Sequence, residues 1–550
     1  MDVSKVVKRY ILDNAISHNG KAIAKSVLGK ILADYPELRS MVLQLKHEIE
    51  IQIGIINKMP LKKQKKELEK LGIVKKKAKE FRKHDLAELI GARTGHFVVR
   101  FAPNPNGALT LGHARPAILN YEYAKKYKGK MILRFDDTDP KHKVPEKKFY
   151  TWIKEDLKWL GIKWDKVIIA SKRLATYYKY AKKLIEMGKA YVCTCGDEWK
   201  TMRNRGQACP CRALSKREQL ARWKKMFAKN GFREGDAVLR IKTDLNATNP
   251  AIRDWPAIRI VDNPKHPLRK AKVWPLLDFQ SAIDDHLLGV THILRGIDLQ
   301  TSEKRQKYIY QYFKWEYPVT ITVGKFSLSG IVLSKSKIKE GIKSGEFRGW
   351  DDTRLGTIRS LKRRGFQPEA IRKLIVDIGA KAADITISIE NLSSYNRKFI
   401  DPIANRYFFV PNPMRITLEN LPVKTKKIPL HPTKNRGYRT FKITKTLFID
   451  KKDYERFKPL EVRLKDLFNI KLGKKIKATT KEVKSVPKIQ WVTNKYIPVR
   501  VLMEEKMIKG YGERNLKNEK VGQIVQFERF GFVRIEKNDK NSIVAVFAHK

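Results

Sequence analysis

The chain has 550 residues, of which 42% are hydrophobic, so it is long enough to form several domains with separate cores. It carries 117 Lys and Arg residues against 57 Asp and Glu residues, a formal net charge of +60. This charge predicts polyanionic partners, although a lysine-biased proteome or a need for solubility would give the same composition. The N-terminus is charged at Lys5, Lys8 and Arg9, and no run of about 18 apolar residues occurs. We therefore expect a cytoplasmic protein without a membrane span.

Residues 1–94 are highly charged and place apolar residues, including Ile11, Ile31, Leu43 and Ile49, at helical spacing. The pattern predicts a helical N-terminal extension. Two interpretations remain open for it: a solvated appendage, or an arm that contacts a nucleic acid or docks on a partner protein.

A strand, a helix and a second strand are predicted directly after the extension. Residues 96–101 (HFVVRF) form a short apolar run that ends in a turn rich in Pro and Gly. A helix is expected over 114–127, and a second strand over 130–135 (KMILRF) ends in an acidic cluster that begins at Asp136. This order predicts a parallel crossover of a Rossmann-like sheet, with ligands bound at the carboxyl ends of its strands.

The rest of the chain suggests further domains. Residues 95–190 and 271–330 are interpreted as the two halves of the α/β domain, with 191–270 as an insertion between them. Residues 331–398 begin with a loop and continue as a helical zone. Residues 399–550 consist of short alternating segments separated by Pro, Gly, Asn and Lys clusters, a texture typical of all-β barrels.

Two distant segments contain the chemically informative residues. Residues 103–115 (PNPNGALTLGHAR) place Gly107, Gly112 and His113 at the predicted strand-to-helix turn. Glycines let a backbone approach phosphate closely, and free amides at a helix start favour anionic oxygens. Residues 332–337 (VLSKSK) are predicted to form a Ser/Lys-rich loop that brings an ammonium and two hydroxyls over a polyphosphate.

All four cysteines fall in one short stretch, as Cys193-Thr-Cys195 and Cys209-Pro-Cys211. Two C-x-C pairs separated by a basic loop can converge as four thiolates around a tetrahedral Zn²⁺ ion. The sequence therefore predicts a structural zinc site. Reduced thiols without a metal are the alternative, and redox catalysis is disfavoured because the chain has no C-x-x-C motif.

Several segments together resemble the glutamyl/glutaminyl-tRNA synthetase family of class I, and most closely its archaeal glutamyl members. The segments are RFAPNPNGALTLGHAR at 100–115, RFDDTDP at 134–140, GDAVLRIKTDLNATNPAIRDW at 235–255, DDHLLGVTHILRG at 284–296 and GQIVQFERFGFVRIE at 522–536. The resemblance implies a multidomain α/β fold: a Rossmann-like class I core, an inserted acceptor-stem-binding domain and C-terminal anticodon-binding barrels. It also implies ATP, Mg²⁺ and L-glutamate as reactants, and tRNA(Glu), with tRNA(Gln) as a further candidate, as the acceptor of a monomeric enzyme.

The resemblance also assigns the nucleotide site. Residues 110–113 correspond to the family's HIGH tetrapeptide, so Gly112 and His113 are expected to bind ATP phosphates. Thr110 departs from the usual histidine, and its hydroxyl can donate a hydrogen bond but cannot carry a positive charge. Lys335, with Ser334 and Ser336, corresponds to the KMSKS loop, whose lysine neutralises the departing pyrophosphate. His113 and Lys335 are the predicted catalytic pair.

For the amino acid, the resemblance assigns Arg100 to a carboxylate and Asp136 to the ammonium group, with Arg295 and Ser281 in the same pocket. An arginine fork can hold a carboxylate with two hydrogen bonds. The alternative is that Arg100 and Asp136 simply pair with each other at the strand ends. Leu277 departs from the family, which has a substrate-contacting tyrosine at that position.

Three rival functions share these motifs. A glutaminyl-tRNA synthetase has nearly all of them. A catalytically inactive tRNA-binding paralogue would explain Thr110 and Leu277 but not the retention of His113 and Lys335. A small-molecule nucleotidyltransferase with a HIGH-type core would not explain the long β-rich C-terminal region.

Overall fold

The fold is that of a computed structural model, which describes residues 3–17, 20–71, 86–504, 506–539 and 541–550. The chain divides into two compact units, Met1–His84 and Asp85–Lys550, and each is described by itself. No helix within these described ranges is both long and apolar enough to cross a membrane.

The first unit is helical over its described residues. Ile11, Ile31 and Ile49 are buried in its core, as expected, but Leu43 is 84% exposed. Leu43 lies on the face of its helix opposite the buried Leu45, so its place in the predicted apolar stripe is wrong. Residues 72–85 of the predicted extension lie outside the described residues. The helices are α1 (Val3–Ser17), α2 (Ala24–Asp34), α3 (Val42–Ile56) and α4 (Leu61–Lys70).

The second unit begins with the predicted parallel crossover. The strands pair in the order β1–β2–β3, and Arg100 lies opposite Ile132 in the register. Helix α5 begins three residues earlier than predicted, which places Gly112 and His113 in its first turn. The elements are β1 (Val98–Phe101), α5 (Leu111–Lys126), β2 (Lys130–Phe135), α6 (Lys147–Trp159) and β3 (Lys166–Ile169).

A four-stranded antiparallel sheet follows, in the order β4–β5–β6–β7. Three tryptophans, Trp223, Trp255 and Trp274, pack in its core. The N-cap of helix α9 is Ser215, whose hydroxyl accepts a hydrogen bond from the Glu218 amide in a capping box. The elements are α7 (Leu174–Glu186), β4 (Ala190–Cys193), α8 (Glu198–Asn204), α9 (Lys216–Phe227), β5 (Val238–Ile241), β6 (Pro256–Ile260) and β7 (Val273–Pro275).

The parallel sheet then resumes, because Thr291, just before β8, exchanges hydrogen bonds of 2.9 Å with the backbone of Val98 in β1. Strands β8 and β9 are parallel, and so are β10 and β11. Strand β11 interrupts the zone that was predicted to be helical. The elements are α10 (Leu277–Leu287), β8 (His292–Gly296), α11 (Gln300–Phe313), β9 (Val319–Val323), β10 (Phe326–Leu328), α12 (Lys335–Ser344), α13 (Ile358–Arg364), α14 (Pro368–Ile378), β11 (Ile385–Ile387) and α15 (Ile389–Ile400).

Over its described residues the C-terminal region is β-rich, as predicted, and it includes the short helix α16. A seven-stranded sheet has the order β12–β25–β26–β27–β23–β24–β13. Its edge strands β12 and β13 are separated in the chain only by Phe408, so the sheet nearly closes into a barrel. A second core, around Trp491 and Phe441, belongs to smaller sheets.

The strands and the helix of this region are β12 (Asn405–Tyr407), β13 (Phe409–Pro411), β14 (Pro413–Thr417), β15 (Thr425–Pro429), β16 (Tyr438–Lys442), β17 (Thr446–Asp450), α16 (Lys451–Phe457), β18 (Glu461–Leu464), β19 (Asn469–Lys471), β20 (Lys477–Ala478), β21 (Lys488–Ile489), β22 (Trp491–Thr493), β23 (Tyr496–Leu502), β24 (Met507–Glu513), β25 (Ile524–Phe527), β26 (Gly531–Asn538) and β27 (Ile543–His549).

Candidate active site

The first signature segment lies beyond the carboxyl end of β1. Thr110 is the N-cap of α5, and its hydroxyl lies 2.8 Å from Nδ1 of His113. Gly107 is a close-approach position, because a Cβ atom there would lie 2.5 Å from the Trp350 ring and 3.2 Å from Cδ of Lys335. Glycine at 107 therefore lets the second signature segment pack directly against the first.

Lys335, in the second segment, reaches back to the first. Its ammonium donates a hydrogen bond of 3.1 Å to the backbone carbonyl of Asn104. Burial, followed by the nearby Lys143, lowers the pKa of Lys335 to about 8. Burial, followed by the Lys335 ammonium, holds the pKa of His113 well below its usual range. The two predicted catalytic residues therefore lie close enough for their side chains to interact electrostatically.

The prediction of a loop over 332–337 is correct only up to Ser334. Lys335 is the first residue of helix α12, and Ser334 is its N-cap, without a capping hydrogen bond from its side chain. The helix starts there because Ile338 packs into a buried cluster with Phe347 and Trp350. The position of Lys335 is therefore fixed by the packing of the first turn of α12.

Residues 355–358, which carry no motif in the sequence, join the two signature segments. The Gly356 amide donates to the carbonyl of Val332 at 3.3 Å, and its carbonyl accepts from the Leu111 amide at 2.9 Å. Thr357 forms a β-bridge with Thr110. No local pattern marks this connection, because it depends on pairing between distant parts of the chain.

Arg100 and Asp136 lie at the ends of β1 and β2, but the alternative in which they pair with each other is wrong. Arg100 Nε donates to Asp285 at 3.0 Å, whereas Asp136 accepts from Arg134 Nε at 2.7 Å. Arg134 also donates to Asp285 at 2.7 Å, so four charged side chains form one chain of contacts. Arg134 lies in the segment RFDDTDP and Asp285 in the segment DDHLLG. Both segments carry the family resemblance, so the sequence did contain a signal for these two residues.

The pKa values of the two buried carboxylates in this network, Asp136 and Asp285, are shifted in opposite directions. Burial raises the pKa of Asp136 despite the opposing effect of Arg134. Burial also opposes the charge of Asp285, but Arg100 and Arg134 together hold the pKa of Asp285 below its usual range. Asp285 is therefore a fixed negative charge between two guanidinium groups.

Arg295 and Ser281 belong to a second hydrogen-bond network, centred on Gln306. Gln306 accepts from Arg295 at 2.7 Å and donates to the Ser281 hydroxyl at 2.6 Å, and it also accepts from the Tyr317 hydroxyl at 2.7 Å. Ser281 in turn donates to the carbonyl of Leu277 at 2.7 Å. The side chain of Leu277 is 44% exposed at the first residue of α10.

The four cysteines converge. Their Sγ atoms all lie within 4.8 Å of one another, and the Cys193–Cys209 and Cys195–Cys211 sulfur pairs are 3.8 Å and 3.6 Å apart. Tetrahedral coordination with Zn–S bonds of about 2.3 Å requires sulfur separations of about 3.8 Å. Arg222 Nη1 lies 3.1 Å from Cys211, which offsets the negative charge of thiolates. The donor set fits a Zn²⁺ ion.

Three family models match consecutive parts of the chain. The family described as tRNA synthetases class I (E and Q), catalytic domain, matches residues 96–402. Two families described as anti-codon binding domains of these synthetases match residues 404–490 and 488–536. The chain belongs to the class I tRNA synthetases of the glutamate (E) and glutamine (Q) family, which confirms the resemblance and the predicted fold class.

Individual relatives extend over the whole chain. It is 52% identical to a glutamate–tRNA ligase of Pyrococcus furiosus and 44% identical to one of Archaeoglobus fulgidus, with 100% of each chain covered in both comparisons. A solved glutamate tRNA ligase of Elizabethkingia meningosepticum, in complex with its amino acid, aligns at 19% identity with a TM-score of 0.42. That alignment covers 56% of this chain and 70% of the solved one.

Proposed function

We propose that this protein is a glutamate–tRNA ligase. It activates L-glutamate with ATP to glutamyl-adenylate and pyrophosphate, then transfers the glutamyl group to the terminal adenosine of tRNA(Glu). The observation that carries this proposal is the packing of Lys335 against the segment that contains His113, with residues 355–358 joining the two segments. The archaeal glutamate–tRNA ligases that align with the whole chain support glutamate as the substrate.

The nucleotide site is assigned from this geometry. The amides at the start of α5 and the imidazole of His113 bind ATP phosphates, next to the backbone of Gly112. Lys335 neutralises the negative charge that develops on the departing pyrophosphate. Thr110, Ser334 and Ser336 supply hydroxyls around the same nucleotide. Bound Mg²⁺ supplies further charge neutralisation on the phosphates.

The amino acid binds at the ends of β1 and β2. Only Nε of Arg100 is hydrogen-bonded among the described residues, so its two Nη atoms are available to a carboxylate. Asp136 supplies the negative charge for the substrate ammonium. Arg295 is oriented by Gln306, and the Ser281 hydroxyl is occupied by internal hydrogen bonds, so Ser281 acts by positioning Gln306. Leu277 contributes no polar contact.

A bound Zn²⁺ ion would be held by Cys193, Cys195, Cys209 and Cys211 and would stabilise the fold locally. The ion would fix the turn after β4 to the residues before α9 within the insertion. In this proposal residues 191–270 approach the acceptor stem. In the alternative, the four cysteines are reduced thiols and the purified protein contains no zinc.

The polyanionic partner is tRNA, in agreement with the net charge of +60. We assign 331–398 to contact with the tRNA stem and 399–550 to the anticodon. We regard the first unit, Met1–His84, as a helical extension, which ends before the predicted boundary at 94 because Leu86 is buried in the core of the second unit. The enzyme is proposed to be cytoplasmic and monomeric. Use of tRNA(Gln) as a second acceptor is a further candidate activity.

The experiment is amino-acid-dependent exchange between ATP and pyrophosphate in the presence of tRNA. Exchange with glutamate but not glutamine supports the proposal, and exchange with glutamine alone identifies a glutaminyl-tRNA synthetase. Binding of tRNA without any exchange identifies an inactive paralogue. Charging of tRNA(Glu) and tRNA(Gln) transcripts then determines which acceptors are used.

A further inference from the structure

Tyr310 is a buried tyrosine whose hydroxyl has no hydrogen-bond partner among the described residues. The side chain lies on α11 and is 2% exposed. A buried polar atom without a partner costs free energy, and buried tyrosine hydroxyls are normally paired. An unpaired hydroxyl in the core of a folded domain is therefore free to bind a ligand where its surroundings suit one.

The surroundings of Tyr310 indicate where this hydroxyl lies. Its ring packs edge-on against Tyr317, with centroids 4.7 Å apart, and the Tyr317 hydroxyl accepts from Arg295 at 3.1 Å. Burial raises the pKa of Tyr310; Asp285 raises it further, and Arg100 opposes this rise. Tyr310 therefore packs against a hydrogen-bond partner of Arg295 and is near enough to Arg100 to interact with its charge.

The chemistry of this position fits a carboxylate. Arg100 has two free Nη atoms, and a phenol hydroxyl adds one directed donor beside them. We propose that the Tyr310 hydroxyl donates a hydrogen bond to a carboxylate oxygen of the amino-acid substrate, beside the Arg100 guanidinium. This inference rests on the proposed function. It supplies a polar contact in a pocket where Leu277 provides none.

The test is Tyr310→Phe, which removes the hydroxyl and keeps the ring. The KM for glutamate in tRNA-dependent pyrophosphate exchange is expected to rise at least about tenfold, with kcat and the KM for ATP within about twofold of wild type. Because the hydroxyl has no internal partner, the Tm of the free enzyme is expected to stay unchanged or to rise.

The matched control is Tyr312→Phe on the same helix. The Tyr312 hydroxyl donates to the backbone carbonyl of Lys242, in the core around the four-stranded sheet. Its removal is expected to lower the Tm and to leave the KM for glutamate unchanged. The two variants thus separate a substrate contact from a structural hydrogen bond.

Three results would overturn the inference. The first is an unchanged KM for glutamate in Tyr310→Phe. The second is a fall in kcat together with a rise in the KM for ATP, which would show a general disturbance of the site. The third is a lowered Tm, which shows that the hydroxyl is bonded within the protein, for example to Asp285. A wild-type enzyme that exchanges pyrophosphate with no glutamate dependence would instead refute the proposed function itself.

Discussion

The hydroxyl of Thr110 lies 2.8 Å from Nδ1 of His113, so the residue that precedes helix α5 is hydrogen-bonded to the imidazole in its first turn. Thr110 makes no capping hydrogen bond to the helix backbone with this side chain. Burial and the Lys335 ammonium keep His113 neutral, because they lower its pKa. When a hydroxyl donates to Nδ1 of a neutral imidazole, the ring hydrogen resides on Nε2, from which it can be donated to a phosphate oxygen.

Thr110→Val is therefore expected to lower the rate of adenylation about tenfold, or about 1.4 kcal/mol of transition-state stabilisation. The variant keeps the β-branched shape and loses the donor that fixes the His113 tautomer. Thr110→Ser restores the donor and is expected to retain most of the activity. The measurement is tRNA-dependent pyrophosphate exchange at saturating substrates. Equal rates for the valine and serine variants would contradict this role.

Lys335→Ala is expected to lower the adenylation rate at least about tenfold, which corresponds to about 1.4 kcal/mol, because the ammonium stabilises the departing pyrophosphate. In the free enzyme this lysine has a pKa of about 8. The wild-type kcat/KM for ATP is therefore expected to fall as the pH rises through about 8, since the neutral amine carries no charge. Lys335→Arg is expected to abolish this decline. A pH-independent wild-type profile between 7 and 9 would argue against the assignment.

Stability provides an independent readout of the same lysine. Because the pKa of Lys335 is lowered on folding, its burial destabilises the protein below about pH 8, and this effect disappears as both states lose the proton at higher pH. Lys335→Met is expected to raise the Tm at pH 7 in the absence of ATP. The gain should shrink between pH 8 and pH 10. A gain that does not depend on pH would indicate a packing effect.

Asp285→Asn is expected to destabilise the protein by about 3–5 kcal/mol, because it leaves Arg100 and Arg134 buried without their shared carboxylate. Arg100 also loses its anchor, so the KM for glutamate is expected to rise. Asp254→Asn is the control, because Asp254 is equally buried and pairs with Arg212. Both variants should unfold at a lower temperature, as measured by thermal denaturation. If both raised the KM for glutamate equally, the Asp285 effect would be non-specific.

Zinc content tests the cysteine cluster directly. Elemental analysis of the purified protein is expected to give about one zinc per chain, and Cys209→Ser is expected to lose it, because a tetrahedral site needs all four thiolates. The KM for tRNA should rise more than the KM for glutamate, since the cysteines belong to the proposed acceptor-stem module. Well under one zinc per chain in the wild type would favour reduced thiols.

Local sequence patterns predicted those elements whose stability is local. The boundaries of β2 agree with the apolar run predicted over 130–135, because continuous burial leaves a clear pattern. The start of α12 at Lys335 was missed, since it depends on Ile338 packing against Trp350. The exposure of Leu43 was missed because helical spacing alone does not show which face is covered.

In the candidate site, too, the residues of local motifs were predicted and the contacts between distant residues were not. The residues of the two signature segments were found from motifs, but the partners of Arg100 were not. Its ion pair with Asp285 joins positions 185 residues apart, and the alternative of a pair with Asp136 was equally compatible with the sequence. The unpaired hydroxyl of Tyr310 has no sequence signal, because it is defined by what surrounds it.

The most direct measurement is pyrophosphate exchange by the wild-type protein in the presence of tRNA(Glu), with glutamate and glutamine compared at equal concentrations. We expect exchange with glutamate, little exchange with glutamine, and loss of exchange in Lys335→Ala. Glutamate-dependent exchange that survives in Lys335→Ala and in His113→Ala would contradict the claim that these two groups act on one nucleotide.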